Sequence, residues 1–344
     1  MAKSYEIKEF LFKSETASII DVRSEGEFVQ GHIPGAINVP LFTNSERAIV
    51  GTIYKQQGKE PAVQKGLDIV GPKLSTFVHD VKSKIQGKEV LVHCWRGGMR
   101  SGSFAWLLET SGLVPSTLVK GYKAYRNFVL STFSTPFNLM LLGGKTGSGK
   151  TKLLHNLKEQ GEQVIDLEEL CSHKGSAFGA IGQKAQSSTE QFENNLCEIL
   201  LKMDPNKRIW LEDESRNLGG IYIPDNFWLQ MKQAPLIFLE VDKKIRIANL
   251  VQDYASYPKE LLEEAIQRIQ KRLGGLHLKL ATEALHNNDF AQVAEICLMY
   301  YDKAYLSGLD KREKNTVHRI EVDSFEVEKL SRTIIEKENE LNGK

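Results

Sequence analysis

A chain of 344 residues, 41% hydrophobic and 26% charged, is long enough for two domains with separate cores. Its net charge of +1 excludes bulk attraction as the means of holding a nucleic acid and leaves that task to a local basic surface. No stretch approaches the roughly 18 uncharged apolar residues needed to cross a bilayer, and the first ten residues hold no apolar signal core. The four cysteines form no Cys-x-x-Cys pair, which removes the usual zinc and dithiol readings. The expectation is a cytoplasmic protein with free thiols and no membrane partner.

In the first third, apolar runs at 18–23, 36–40, 90–94 and 116–121 are short, bounded by Gly or Pro, and separated by segments of helical length, an α/β pattern. The insert from 50 to 73 carries Tyr54 and Lys55, which suit stacking on and pairing with RNA bases; a loop packed over the next site is the alternative. The run 90–94 delivers His93 and Cys94 into a turn containing Arg96, Gly97, Gly98, Arg100 and Ser101, and 103–108 reads as the following helix. Converging backbone N–H groups and a helix N-terminus favour an ionised thiol, and two arginines add charge-assisted bonds to an entering anion. Cys94, Arg96 and Arg100 are therefore the candidate catalytic residues.

The hydroxyl-rich stretch 131–137 ends in a proline-containing turn and marks the junction, giving domains at 1–130 and 138–344. Five strand candidates follow at 138–142, 163–168, 208–213, 236–241 and 319–322, separated by amphipathic segments, which predicts a parallel sheet with helices on both faces. Residues 243–318 read as an added helical layer. A terminal helix is expected after Ser324 as N-cap, with Val327, Leu330 and Ile334 on one face.

Gly144-Lys-Thr-Gly147-Ser-Gly149-Lys150-Thr151 is a complete phosphate-binding loop, preceded by an apolar strand and followed by leucines at helical spacing. Its glycines admit close backbone approach, Lys150 neutralises phosphate, and Thr151 is suited to Mg2+, although no metal site and no tightly bound cofactor follow from the sequence. Glu212, Asp213 and Glu214 end a strand beside it, with Arg216 close behind, and an acid there is expected to orient a metal or its waters. Asp166, Glu168 and His173 form a second polar cluster in the position where open α/β sheets collect ligands. Arg268, Lys271 and Arg272 at i, i+3 and i+4 form a candidate RNA-backbone stripe on one helix, partly offset by Glu264.

The segment from Ile20-Asp21-Val22-Arg23 to Gly35-Ala36-Ile37-Asn38-Val39-Pro40, with the Cys94 loop, resembles a rhodanese domain over residues 1 to about 130. His-Cys-x5-Arg-Ser also matches the protein-tyrosine-phosphatase signature, so spacing alone leaves phosphate-ester hydrolysis open. End to end, the chain resembles the bacterial tRNA 2-selenouridine synthase family, in 50–56, 93–101, 143–151, 166–179, 212–216, 272–275 and 300–305. Lys174 departs from the arginine expected of the family. The resemblance implies a tRNA with 2-thiouridine at the wobble position as partner, and selenophosphate and geranyl diphosphate as co-substrates. It implies 2-selenouridine as product through an S-geranyl-2-thiouridine intermediate. The alternatives are a cysteine-dependent phosphatase fused to a P-loop nucleotide kinase, and a nucleotide-binding regulatory protein with a rhodanese module.

Overall fold

The structure is a computed structural model that describes residues 2–309, 312–341 and 343. The chain divides into two compact units, the first running to Thr132 and including Ser188–Glu198, the second comprising Phe133–Ser187 and the chain from Ile199 onward. The assignment of 188–198 to the first unit is invisible to a linear division of the sequence. It follows from polar contacts: within that unit the Asn194 amide donates to the His32 carbonyl and the Tyr122 hydroxyl, each at 2.8 Å.

The first unit holds β1 (Lys3–Tyr5), β2 (Ser18–Asp21), β3 (Ile37–Asn38), β4 (Glu89–His93) and β5 (Val114–Leu118), all parallel in the order β1-β5-β4-β2-β3. β4 sits at the centre, and its residues Val90 to His93 are buried, because both faces of a parallel sheet are covered. The three-residue edge strand β1, largely exposed, has too short a pattern to register in the sequence. The insert is no loop. It forms a helical hairpin, Asn44–Gln57 and Lys59–Val70, whose first helix is opened by a capping box between Thr43 and Glu46. The helix expected at 103–108 spans Met99–Thr110, so Arg100 lies in its first turn and not in the loop.

The second unit holds β6 (Leu139–Gly144), β7 (Gln163–Ile165), β8 (Ile209–Glu212), a small antiparallel hairpin of β9 (Asn217–Leu218) and β10 (Ile221–Tyr222), then β11 (Leu236–Val241) and β12 (Val317–Val322). Its main sheet is parallel in the order β12-β11-β6-β8-β7, with β6 and the phosphate loop at the centre. The candidate strand 163–168 stops at Ile165 because the Asp166 carboxylate accepts from the Glu169 N–H and caps the helix Leu167–Cys171. Glu168 is thus helical. Ser324 does not cap the last helix, which begins at Val327. The expected linker is also shorter, since the helix Gly121–Thr132 covers its first two residues and Phe133 is buried against Phe227. No helix among the described residues is long and apolar enough to cross a membrane.

Candidate active site

In the first unit β4 places Cys94 at its carboxyl end, buried, with the sulfur 3.2 Å from the Ser101 hydroxyl. Burial opposes ionisation of the thiol. The Ser101 hydroxyl, the Gly98 and Ser101 backbone groups and the Arg100 charge outweigh it and leave the pKa below the ordinary thiol value. The turn is held closed from below: the Tyr122 N–H donates to the Cys94 carbonyl at 2.8 Å, and a Cβ at Gly121, where φ is +59°, would collide with that carbonyl.

The two arginines part company. The Arg100 guanidinium donates to the Glu27 carboxylate at 3.3 Å, which also pairs with Arg47 at 3.0 Å. Arg96 instead lines a separate recess with Lys120 and Lys123, and among the described residues none of these three cations is in an ion pair. The expected cradle of both arginines is therefore one arginine beside the thiol and one facing a second basic recess.

Behind β4 lies a buried polar group that the sequence reading did not single out. Asp21 and Arg23 form a two-point ion pair, and the Arg23 guanidinium stacks 3.6 Å above the Tyr122 ring. His93 is fully buried, its Nε2 3.7 Å from the Asp21 carboxylate and neither ring nitrogen hydrogen-bonded. Burial drives its pKa down to about 4 against the pull of Asp21, so the ring is neutral at pH 7 and Arg23 is the charge that balances Asp21. The only advance signal was the spacing of acid and base at the end of an apolar run.

In the second unit the phosphate loop joins β6 to the helix Lys150–Glu159. Gly147 and Gly149 take positive φ, as the loop requires. Lys150 is buried, donates to the Gly144 carbonyl at 3.0 Å and lies 5.3 Å from the centre of the Tyr305 ring. Burial penalises its charge, but Tyr305, Glu214, Glu168 and Glu212 more than offset this and keep it a cation.

The alternation of an extended strand end separates the three acids at and just beyond the end of β8. Glu212 and Glu214 are buried on the Lys150 side, whereas Asp213 is tied to Arg312 at 2.7 Å. Glu212 accepts from the Leu167 N–H through one oxygen and leaves the other unpartnered; burial, with Asp166 and Glu168, pushes its pKa well up. Glu168 accepts from the Thr151 hydroxyl at 3.3 Å and is also raised, by burial above all. Glu214 is pushed up to about 8 by burial and by Glu168.

Of the remaining candidates Asp166 borders this cluster, where its charge pushes up Glu212 and Glu168, and the others stand apart from it. Asp166 pairs with His155 at 2.8 Å, Arg216 with Asp225, and the His173 ring packs near Gly179 and Gly219 with its pKa lowered by burial. Arg268 does not share a helix with Lys271 and Arg272: it ends Lys259–Arg268, whereas they belong to Gln270–Leu273, because the chain turns at Ile269. Arg268 reaches the Ala177 carbonyl and Arg272 the Tyr300 hydroxyl. The straight basic stripe is therefore replaced by separate cations.

One feature had no sequence signal. The phosphate loop opens into a cavity of about 440 Å³, whose far wall is apolar and built from Phe178, Leu250, Leu262, Val293 and Leu298, with Lys174 and Tyr254 at the side. These residues come from four separate segments, so no local pattern unites them.

Residues 137–334 match the family model described as tRNA 2-selenouridine synthase AAA domain, and residues 5–128 match the rhodanese-like domain. The chain is 34% identical to a tRNA 2-selenouridine synthase of Nitrosomonas europaea over 89% of its length and 92% of the relative's. It is 35% identical to one of Bdellovibrio bacteriovorus, covering 91% and 93%, and 33% identical to one of Serratia proteamaculans, covering 88% and 89%. A thiol-bearing rhodanese-like unit and a phosphate-loop unit in one chain, with similarity running through both, make this chain a member of the tRNA 2-selenouridine synthase family.

Proposed function

We propose that the chain makes 2-selenouridine at the wobble position of tRNA in two steps, one per unit, with geranyl diphosphate and selenophosphate as co-substrates. In the first step the sulfur of 2-thiouridine attacks the terminal carbon of geranyl diphosphate. A C–S bond forms, the C–O bond breaks, diphosphate departs and the base loses its N3 proton. In the second step the selenium of selenophosphate attacks C2. A C–Se bond forms, the C–S bond breaks, geranylthiol leaves with a proton, and water cleaves the Se–P bond to give phosphate while N3 is reprotonated.

The observation that carries this reading is the union of a phosphate loop with an apolar cavity in one site. A diphosphate fits the Lys150 and backbone N–H end, and a prenyl chain fits the wall around Phe178 and Leu298. Lys150, kept charged by its carboxylate neighbours, stabilises the departing diphosphate. Thr151 and Glu168, with the unpartnered oxygen of Glu212 behind them, fit a magnesium ion, which would add positive charge at the leaving oxygens. At Cys94 the lowered pKa and Arg100 support handling of the selenium donor.

Mass spectrometry of tRNA nucleosides tests the division of labour. Cys94→Ala retains the S-geranyl product and forms no 2-selenouridine, whereas Lys150→Ala loses geranylation first. Loss of both products in Cys94→Ala would contradict it.

A further inference from the structure

A second cavity, of about 800 Å³, lies in the first unit between the helical hairpin and the helix that follows the Cys94 turn. Its wall is apolar, with Phe42, Val63, Val70, Phe104 and Leu107, and Tyr54, Leu67, Met99 and Trp106 at its edge are all more than half exposed. So much exposed apolar surface around a concavity marks a binding site. The cavity adjoins the thiol: Phe42 and Phe104 pack in the same apolar cluster as Cys94, and Arg100, which lowers the Cys94 pKa, also lines the cavity.

We propose that this cavity holds the geranyl chain of S-geranyl-2-thiouridine while selenium replaces sulfur at C2, and so positions the departing geranylthiol beside Cys94. The inference rests on the two-step reading above. Two observations favour this occupant. The wall is apolar enough for a hydrocarbon chain and large enough to take one with its thioether. The rim carries Arg47, Lys55 and Arg100, of which Arg47 and Arg100 share the one carboxylate of Glu27, and Lys55 is in no ion pair among the described residues. That surplus of positive charge complements the phosphodiesters flanking the modified base. A simple apolar interface would not need it.

Gly51 lines the cavity from within the helix Asn44–Gln57, and a Cβ there meets no atom within 4 Å. Gly51→Phe therefore fills the cavity without disturbing the packing. The test supplies selenophosphate and tRNA already carrying either S-geranyl- or S-methyl-2-thiouridine, and follows 2-selenouridine formation in a single turnover. The wild-type chain should convert the geranyl substrate at least tenfold faster than the methyl one. Gly51→Phe should lose that preference by slowing only the geranyl substrate, while its geranylation of 2-thiouridine tRNA stays at the wild-type rate and shows the fold intact. Conversion of geranylated tRNA by Gly51→Phe at the wild-type rate would overturn the proposal and leave the two-step reading standing. A variant that changes oligomeric state with selenation unaltered would assign the cavity to a second copy and overturn it as well. Failure of the wild-type chain to convert geranylated tRNA at all would sink the two-step reading, and this inference with it.

Discussion

The Ser101 hydroxyl stands 3.2 Å from the Cys94 sulfur and also reaches the Gly98 carbonyl at 3.2 Å, so one side chain in the first helical turn closes the ring around the thiol. Burial alone would raise the thiol pKa; the hydroxyl is the foremost of the groups that bring it down. Ser101→Ala should therefore raise it. The check is the rate of thiol alkylation against pH, with Cys94→Ala as background. At a fixed pH below both values, each unit of increase lowers the thiolate fraction about tenfold. An unchanged profile would mean that the backbone N–H groups and Arg100 suffice.

The raised pKa of Glu214, about 8, predicts how diphosphate binding depends on pH. Below that value Glu214 is neutral and Lys150 faces the ligand with less competing negative charge. As pH rises through 8 the carboxylate ionises, so affinity for inorganic diphosphate should fall between pH 7 and pH 9. The same raised value means that the folded chain retains a proton that the unfolded chain loses above its ordinary pKa of 4.5. Stability from this group is thus lost as pH climbs toward 8. Glu214→Gln should flatten the binding profile, measured by titration calorimetry. A profile of undiminished slope in that variant would move the titration to another group.

Much of this was legible in advance, because the phosphate loop and the thiol turn are each contiguous and each needs fixed residue types at fixed spacing. Glycines 144, 147 and 149 with Lys150, and Cys94 with its flanking glycines, state their chemistry within nine residues or fewer. The acids Glu212, Asp213 and Glu214 were legible as a group. Their sorting was settled by a distant residue, Arg312, which takes Asp213 out of the site. Two sorts of feature stayed hidden. Capping changed local assignments, as when Asp166 turned an expected strand end into a helix carrying Glu168. Both apolar cavities are assembled from segments far apart in sequence, and their residues look individually like ordinary core.

Ala294 lines the cavity beyond the phosphate loop and is largely buried. Ala294→Phe should shrink the room for a hydrocarbon tail while leaving the loop untouched. Affinity for geranyl diphosphate should then drop by roughly tenfold or more, since each methylene kept in water forfeits about 0.8 kcal/mol. Affinity for inorganic diphosphate should not change. Equal losses for both ligands would show that the cavity does not receive the tail.

The neutral, buried His93 predicts acid sensitivity. Its pKa in the folded chain, about 4, lies below the ordinary 6.5, with burial as the main cause. Between those values the unfolded chain binds a proton that the folded one excludes, so stability present above pH 6.5 is lost as pH falls toward 4. The slope from one such group is at most about 1.4 kcal/mol per pH unit. His93→Phe keeps an aromatic ring beside Phe10 and Tyr122 and removes the titrating group. The urea midpoint of the first unfolding transition, measured from pH 7 to pH 5, should therefore vary less in the variant than in the wild-type chain. Equal variation in both would place the acid sensitivity in the Asp21 and Arg23 pair, whose carboxylate is held below its ordinary pKa, against the cost of burial, by His93 and Arg23 and gives way only at lower pH.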